Sequence, residues 1–137
     1  MAGWSSVAAV TAGAALGALL RWQLGERLNA LLPTLPLGTL AANLLGGYLV
    51  GVALPLILSL PNLAPEWRLF VVTGFLGGLT TFSTFSAEIL TQLQQGRPGW
   101  ALLGIAAHLG GSLVATAAGI GTVWLLRALA GSGRWLG

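Results

Sequence analysis

A run of hydroxyl, glycine and aromatic residues fills positions 74–86, which read Gly-Phe-Leu-Gly-Gly-Leu-Thr-Thr-Phe-Ser-Thr-Phe-Ser. Its hydroxyl groups can donate hydrogen bonds, and Phe82 and Phe85, three residues apart, would share one face of a helix. Because an aromatic ring has a positive edge, such rings can favour an anion without binding it as tightly as a full charge. The run therefore suits a small anion, although phenylalanine pairs in apolar helices more often serve plain packing.

The same run is predicted to interrupt a helix. The adjacent glycines Gly77 and Gly78 each cost about 1 kcal/mol in a helix, and the hydroxyl groups that follow compete for backbone hydrogen bonds. Freed carbonyls would suit a cation, and freed amides an anion. The alternative is an unbroken helix with a hydroxyl-rich packing face.

Three further polar side chains form a stripe late in the chain. His108, Ser112 and Thr116 are each four residues apart in an otherwise apolar stretch, so they would share a helix face. Asn43 is similarly isolated among apolar residues. Such groups in hydrocarbon need a partner, which is either another helix or a pore. For His108, a place at a helix interface is favoured over a proton relay.

Two ionisable residues lie near the apolar zone, and such residues are functional candidates by default. Arg21 could reach the membrane interface or attract anions to a vestibule. Glu88 would repel an anion if ionised, so it should be paired, protonated or turned away. Neither belongs to a recognisable set of nucleophile, base and acid, and the sequence therefore predicts a protein that is not an enzyme.

The composition excludes an ordinary soluble domain. Charged residues make up 7% of the 137 residues and hydrophobic residues 55%, with 21 glycines in addition, whereas soluble domains carry about 25% charged residues. The net charge of +3 rests on six arginines with no lysine. They are scattered singly, so no nucleic-acid partner is predicted. The absence of cysteine and the single histidine exclude thiolate and two-histidine metal sites within one chain.

Stretches without charge predict four membrane spans in a single domain comprising residues 1–137. A span needs about 20 largely apolar residues, and we place the helices at about 4–24, 37–59, 67–94 and 99–126. The run at 74–86 then falls in the middle of helix 3. The predicted fold is an all-α integral membrane protein with a break at the centre of helix 3, in contact with membrane lipid.

Glycines at four-residue spacing occur in three of these helices. The pairs are Gly13 with Gly17, Gly47 with Gly51, and Gly74 with Gly78. In lipid, such pairs let helix backbones approach one another closely. They predict a tightly packed bundle within an oligomer.

The arginines give no preference for either orientation in the membrane. Positive charges normally set topology, but here each side of the membrane carries three arginines. The side with both termini has Arg68, Arg127 and Arg134, and the other side has Arg21, Arg27 and Arg97. Two inverted copies could then pair about a two-fold axis in the membrane plane, as inverted repeats do in transporters. The alternative is that another signal fixes one orientation.

Three segments resemble the CrcB/Fluc family of fluoride channels. They are Gly17-Ala-Leu-Leu-Arg21-Trp22, Gly38-Thr-Leu-Ala-Ala-Asn43 with Gly46-Gly47, and, most specifically, the run from Gly74 to Ser86 followed by Ala-Glu88. The resemblance covers nearly the full length. It implies a dual-topology, antiparallel homodimer in the bacterial cytoplasmic (inner) membrane, with two pores that export fluoride passively and so lower its cytoplasmic level.

The resemblance also implies a fluoride pathway of neutral residues. Asn43 would donate hydrogen bonds to fluoride, and the two phenylalanines would supply ring edges. The whole pathway, carried over by position, is Asn43, Phe82, Phe85, Ser83, Thr84, Ser112 and Thr116. Neutral donors fit the physics, because a pore must replace the tight hydration shell of fluoride and still release the ion.

A sodium ion and a vestibule complete what the resemblance implies. Backbone carbonyls around Gly77 and Thr80, from both subunits, would hold a structural sodium ion on the two-fold axis. Arg21 would lie near a vestibule. His108 has no position in the family pattern as we match it.

Two other functions compete with this interpretation. Proton-coupled exporters of the small multidrug resistance family are also short, four-helix and dual-topology, but they need a glutamate within helix 1, and helix 1 here has no acid before Glu26. A non-transporting subunit of a larger complex would have a similar composition. The hydroxyl and phenylalanine run argues against such a subunit.

Overall fold

The computed structural model describes residues 3–132, and every element within that range is a helix. Four stretches are long and apolar enough to cross a membrane, namely Trp4–Leu31, Leu37–Leu58, Pro65–Gln94 and Pro98–Gly131. The prediction of an all-helical chain with four spans is confirmed. Arg134, which entered the charge balance above, lies outside the described residues.

The first two spans are joined by a short capped connection. Helix α1 comprises Trp4–Leu28 and continues past its predicted end at 24, with Arg27 in its last turn, where a cation suits the exposed carbonyls. A single 3₁₀ turn, Asn29–Leu31, leads to helix α2, Leu37–Leu58. The Asn29 side chain caps the N-terminus of α2. Its Oδ1 accepts hydrogen bonds from the amides of Gly38 at 2.8 Å and Thr39 at 3.2 Å. These amides would otherwise be unsatisfied.

The third span consists of two helices in line. Helix α3 (65–79) comprises Pro65–Arg68, a π-helical segment Leu69–Leu76 and a final turn Gly77–Leu79. Helix α4 comprises Phe82–Gln94. Between them the backbone is extended, with φ −82° and ψ 156° at Thr80 and φ −150° and ψ 124° at Thr81.

The fourth span is one long helix with a local widening. Helix α5 (98–132) comprises Pro98–Ile105, a π-helical segment Ala106–Gly110 and Gly111–Ser132. The preceding turn needs a glycine at position 96, where φ is +68°, a value that other residues rarely adopt. π-Helical segments often occur at functional sites, and this one carries His108.

Two glycine seams hold the helices together. In the first, Gly13 and Gly17 of α1 face Gly74 and Gly78 of α3, so that a Cβ on Gly17 would overlap the backbone of Phe75. In the second, between α2 and α5, a Cβ on Gly51 would meet the Thr116 carbonyl and one on Gly119 the Tyr48 carbonyl. The prediction that these pairs let backbones approach closely is confirmed. Backbone contact of this kind maximises dispersion, which is a main driving force for helix association in lipid.

Candidate functional site

An open cleft of about 920 Å³ lies where α2, the two halves of the third span and α5 meet. Its walls combine aromatic, hydroxyl and amide groups from distant parts of the sequence, including Asn43, Phe82, Phe85, His108, Ser112 and Thr116. None of the described residues that line it is Asp, Glu, Lys or Arg. The cleft is therefore wide, largely apolar and uncharged, with a few hydrogen-bonding groups.

The cleft brings most of the predicted residues together. Five of the seven pathway residues line it, and so do the two residues predicted near sodium, Gly77 and Thr80. The other two, Ser83 and Thr84, lie outside its lining. Both are bonded to the Thr81 hydroxyl, Ser83 Oγ at 3.3 Å and Thr84 Oγ1 at 3.1 Å, so their hydroxyl groups belong to the start of α4.

Asn43 joins α2 to the extended backbone between α3 and α4. Its Oδ1 accepts a hydrogen bond from the Thr81 amide at 2.8 Å, and its Nδ2 donates to the Thr81 carbonyl at 3.0 Å. The Nδ2 also lies 3.0 Å from His108 Nδ1. The Oδ1 of Asn43 thus takes the place of the helical acceptor of the Thr81 amide, which satisfies polar backbone at a depth where water is scarce.

The interruption redirects the hydrogen bonds of the backbone on both sides of it. In a continuous helix the Gly77 carbonyl would accept from the Thr81 amide, but that amide donates to Asn43. The Thr80 carbonyl would accept from the Thr84 amide, which instead donates to Thr81 Oγ1 at 3.2 Å. Two carbonyls beside the cleft are therefore deprived of their helical partners. Carbonyl oxygens of this kind are suitable ligands for a hard cation.

Arg21 is fixed at the same interruption from the opposite side. Its Nε donates to the Gly78 carbonyl at 3.0 Å, which in a continuous helix would accept from Phe82. The guanidinium thus satisfies the C-terminal end of α3, where a positive charge is favourable. Arg21 does not line the cleft.

Three aromatic rings follow one another along the cleft. The Phe82 and Phe85 centroids are 5.4 Å apart with planes at 57°, and Phe85 lies 4.8 Å from the His108 ring at 39°. Phe82 is 79% exposed, so its ring projects from the described chain. Both pairs are tilted, between parallel stacking and the edge-to-face arrangement.

The Thr116 hydroxyl group of α5 is bonded to backbone carbonyls. Thr116 Oγ1 lies 2.9 Å from both the Gly47 carbonyl of α2 and the Ser112 carbonyl of its own helix. Because a hydroxyl group has one proton to donate, Thr116 donates to backbone and contributes to the second glycine seam.

Glu88 lies beyond the cleft and has a partner. Its Oε1 accepts a hydrogen bond of 2.6 Å from Thr39 Oγ1, and Thr39 is buried at the start of α2. Of the three possibilities left open for this glutamate, the structure therefore establishes a pairing. Among the described residues, no group of three or more His, Cys, Asp or Glu side chains could hold a metal.

His108 lies at a helix interface, the place that the sequence favoured for it over a proton relay. It is 5% exposed, contacts both Asn43 and Phe85, and lies in the π-helical segment of α5. The four-residue spacing of His108, Ser112 and Thr116 predicted their common face. The contact between His108 and Asn43, which are 65 positions apart in sequence, could not be predicted from the spacing.

Known proteins resemble this chain over almost its entire length. A family model described as CrcB-like protein, Camphor Resistance (CrcB), matches residues 8–120. A protein of Pseudomonas paraeruginosa is 59% identical over 124 residues, which cover 90% of this chain and 98% of the relative. One of Chromohalobacter salexigens is 62% identical over 128 residues, covering 93% and 97%. Both relatives are named fluoride-specific ion channel FluC, the name of a transporter and not of an enzyme. The family model and these identities show that the chain belongs to the CrcB family.

Proposed function

We propose that this chain is a fluoride-selective channel that exports the ion passively across the bacterial cytoplasmic (inner) membrane. It acts as an antiparallel homodimer with two pores and a structural sodium ion. One observation carries the proposal: an uncharged cleft of amide, hydroxyl and aromatic groups in a chain that is about 60% identical to relatives named fluoride-specific ion channels.

The chemistry of the cleft suits the transfer of a strongly hydrated anion. A pore must replace the hydration shell with hydrogen-bond donors, and it must bind weakly enough for the ion to leave. The lining of the cleft provides neutral donors and ring edges without an arginine or lysine. An ion would therefore be stabilised by dipoles along its path and not held by a full positive charge.

Within this pathway Asn43 donates one particular hydrogen. One hydrogen of its Nδ2 is held by the Thr81 carbonyl, and the other points to His108 Nδ1. Fluoride would replace His108 as the acceptor of that second hydrogen. Phe82 and Phe85 would supply ring edges along the pathway, and Ser112 and Thr116 would continue it on α5. Ser83 and Thr84 would lie near the pathway, in the first turn of α4.

The shape of the cleft supports a second copy of the chain as its cover. The cleft is open on one side, and the Phe82 ring there is 79% exposed. An inverted copy, which the balanced arginines allow, would cover this face and bring a second, equivalent cleft. Two pores per dimer follow from the two-fold symmetry.

The interrupted third span supplies the ligands that we propose for sodium. Gly77 and Thr80 line the cleft, and the amides that would normally bond their carbonyls donate elsewhere. A sodium ion would be coordinated by these oxygens from both subunits and would link the two interrupted spans. Protein prepared in sodium-free potassium buffer should therefore show reduced fluoride flux that returns when sodium is added. Equal flux in both buffers would reject the sodium site.

Fluoride efflux from liposomes that contain the purified protein tests the central proposal. A fluoride electrode measures release, valinomycin balances the charge with potassium, and a parallel preparation is loaded with chloride. We expect fast fluoride release that stops without valinomycin, and no chloride release. Release that continues without valinomycin would indicate proton-coupled exchange.

The absence of fluoride release from a monodisperse, well-folded preparation would overturn the proposal. It would favour the exporter or the non-transporting subunit instead. The mass of the protein in detergent then separates these two, because a stable dimer by itself argues against a missing complex. A reporter fused to the C-terminus tests dual topology separately, and a single orientation would reject the antiparallel arrangement.

A further inference from the structure

Three residues that each carry an unpartnered buried polar atom line a second, much smaller cavity. Within residues 3–132, the buried side-chain atoms that lack a hydrogen-bond partner are Thr34 Oγ1, Gln92 Oε1 and His108 Nε2. All three residues line one cavity of about 10 Å³. Gln92 and His108 are only 6% and 5% exposed. Native proteins rarely leave such atoms unsatisfied, and three in one place point to a missing partner that they share.

The proton on His108 can be assigned from the backbone. The Thr81 amide can only donate and its carbonyl can only accept, so their two bonds to Asn43 fix which end of the side-chain amide is Oδ1 and which is Nδ2. The Nδ2 group, a donor, then faces His108 Nδ1 at 3.0 Å. Nδ1 must therefore be an acceptor, and the proton of the neutral ring must be on Nε2.

His108 lines the small cavity, and its buried Nε2 proton needs an acceptor. The buried atoms without a partner beside it are one acceptor, Gln92 Oε1, and one hydroxyl group, Thr34 Oγ1, which can donate or accept. Glu88 also borders the cavity; its Oε1 accepts from Thr39, and its second oxygen is not among the buried atoms that lack a partner. The volume matches the smallest cavity that holds a water molecule, which is about 10–15 Å³. A fluoride ion, which only accepts, would leave Gln92 Oε1 unsatisfied.

We propose that this cavity binds one water molecule, which accepts from His108 Nε2 and bonds to Gln92 Oε1 and Thr34 Oγ1. About three hydrogen bonds are usual for a buried water, and these three satisfy all the unpartnered atoms. The water thereby keeps Nδ1 of His108 free to accept from Asn43. His108 is a positioning residue: with Nδ1 unprotonated it accepts the second Nδ2 hydrogen of Asn43 and directs that hydrogen until fluoride replaces the ring, whereas a proton on Nδ1 would face that donor.

Nitrogen NMR on protein labelled with ¹⁵N-histidine tests the assignment directly. The chain has one histidine, so a sample without an affinity tag gives a single pair of ring signals. We expect the pair of a neutral ring protonated at Nε2, with a cross-peak from that proton to a slowly exchanging water. A ring protonated at Nδ1, a ring protonated at both nitrogens, or the absence of the water cross-peak would each overturn the proposal.

Matched variants test whether the water acts on Asn43. Gln92→Leu removes the buried acceptor, and Gln94→Leu makes the same change at an exposed position of α4. We expect Gln92→Leu to change the His108 signals and, if the chain conducts fluoride as proposed, to lower flux roughly threefold to tenfold. Gln94→Leu should do neither. Unchanged His108 signals in Gln92→Leu would overturn the proposal.

Two further arrangements keep the test decisive. If Gln92→Leu does not fold, Thr34→Val removes one hydrogen bond of the water with little change of shape, and the same shift in the His108 signals is expected. The functional role rests on the proposed channel, but the NMR readout does not. Wild-type protein without fluoride flux would reject the channel and leave the water site to be judged by the spectrum. Altered signals with unchanged flux would reject the positioning role.

Discussion

The glycine seams and the cleft lie in the same bundle, yet they use opposite kinds of contact. In the seams, Gly17 and Gly51 bring one backbone against another, with no room for a single added carbon. In the cleft, side chains line a space of about 920 Å³ that the chain does not fill. The seams are complete within one chain, whereas the cleft of this chain is open on one side. The difference teaches that backbone contact along the seams holds the helices together while one face of the bundle stays open.

The largest effect should come from adding a carbon to a seam. Gly17→Ala would place a Cβ against the carbonyl of Phe75 and the amide of Leu79, and overpacking of this kind typically costs about 1–3 kcal/mol. We expect loss of monodisperse protein in size-exclusion chromatography and loss of flux with it. Gly99→Ala is the control, because nothing lies within 4 Å of its Cβ position. Normal folding of Gly17→Ala would show that the seam between α1 and α3 has room for a methyl group.

Next in size is the change of Asn43 to aspartate. Asn43→Asp replaces the Nδ2 donor with an acceptor that faces the Thr81 carbonyl and His108. An unsatisfied buried group costs about 1–3 kcal/mol, so we expect fluoride flux to fall by about tenfold or more.

Asn29→Asp is the matched control for this change. Asn29 uses its Oδ1 to accept from two backbone amides, and aspartate caps a helix as well as asparagine does. Its flux and stability should therefore stay close to wild type. If Asn43→Asp conducts fluoride as fast as Asn29→Asp does, the Asn43 amide is needed neither for the interruption nor for the pathway.

A smaller but more specific effect is expected from the aromatic rings. Phe82→Ile and Phe85→Ile remove the ring edges from the cleft and keep an apolar side chain there, so flux should fall while the protein remains folded. Phe70→Ile is the control, because Phe70 does not line the cleft. Its ring packs against Trp67 instead, with the two ring centroids 6.1 Å apart. Unaltered flux in both cleft variants would exclude the phenylalanines from the mechanism.

The smallest effect should distinguish the two roles of a hydroxyl on the border between seam and cleft. Thr116→Val removes the bond to the Gly47 carbonyl, and such bonds between membrane helices contribute about 0.6 kcal/mol on average. If Thr116 serves only the seam, thermal stability drops slightly and flux is unchanged. A clear loss of flux would place Thr116 in the pathway. Thr122→Val, which removes a comparable bond to Tyr48 on the same two helices, is the reference.

Sequence alone determined the class of protein and the glycine-rich faces along which its helices pack closely. The scarcity of charge and the length of the apolar stretches require four spans, because a bilayer core about 30 Å thick sets the length of any helix that crosses it. The glycine spacing predicted the seams, since a four-residue repeat is a local property of one helix. The run at 74–86 likewise marked where polar groups gather.

Tertiary structure alone decided which partners these polar groups have. The pairing of Asn43 with Thr81, of Arg21 with the Gly78 carbonyl and of Glu88 with Thr39 joins residues 38, 57 and 49 positions apart, and helical periodicity carries no information over such distances. The same holds for His108, whose spacing predicted only its face of α5. Its contact with Asn43 arises because the π-helical segment and the seam between α2 and α5 bring the two side chains to one point. Periodicity reports which side of a helix a residue occupies, but the neighbour it meets there depends on how the helices pack.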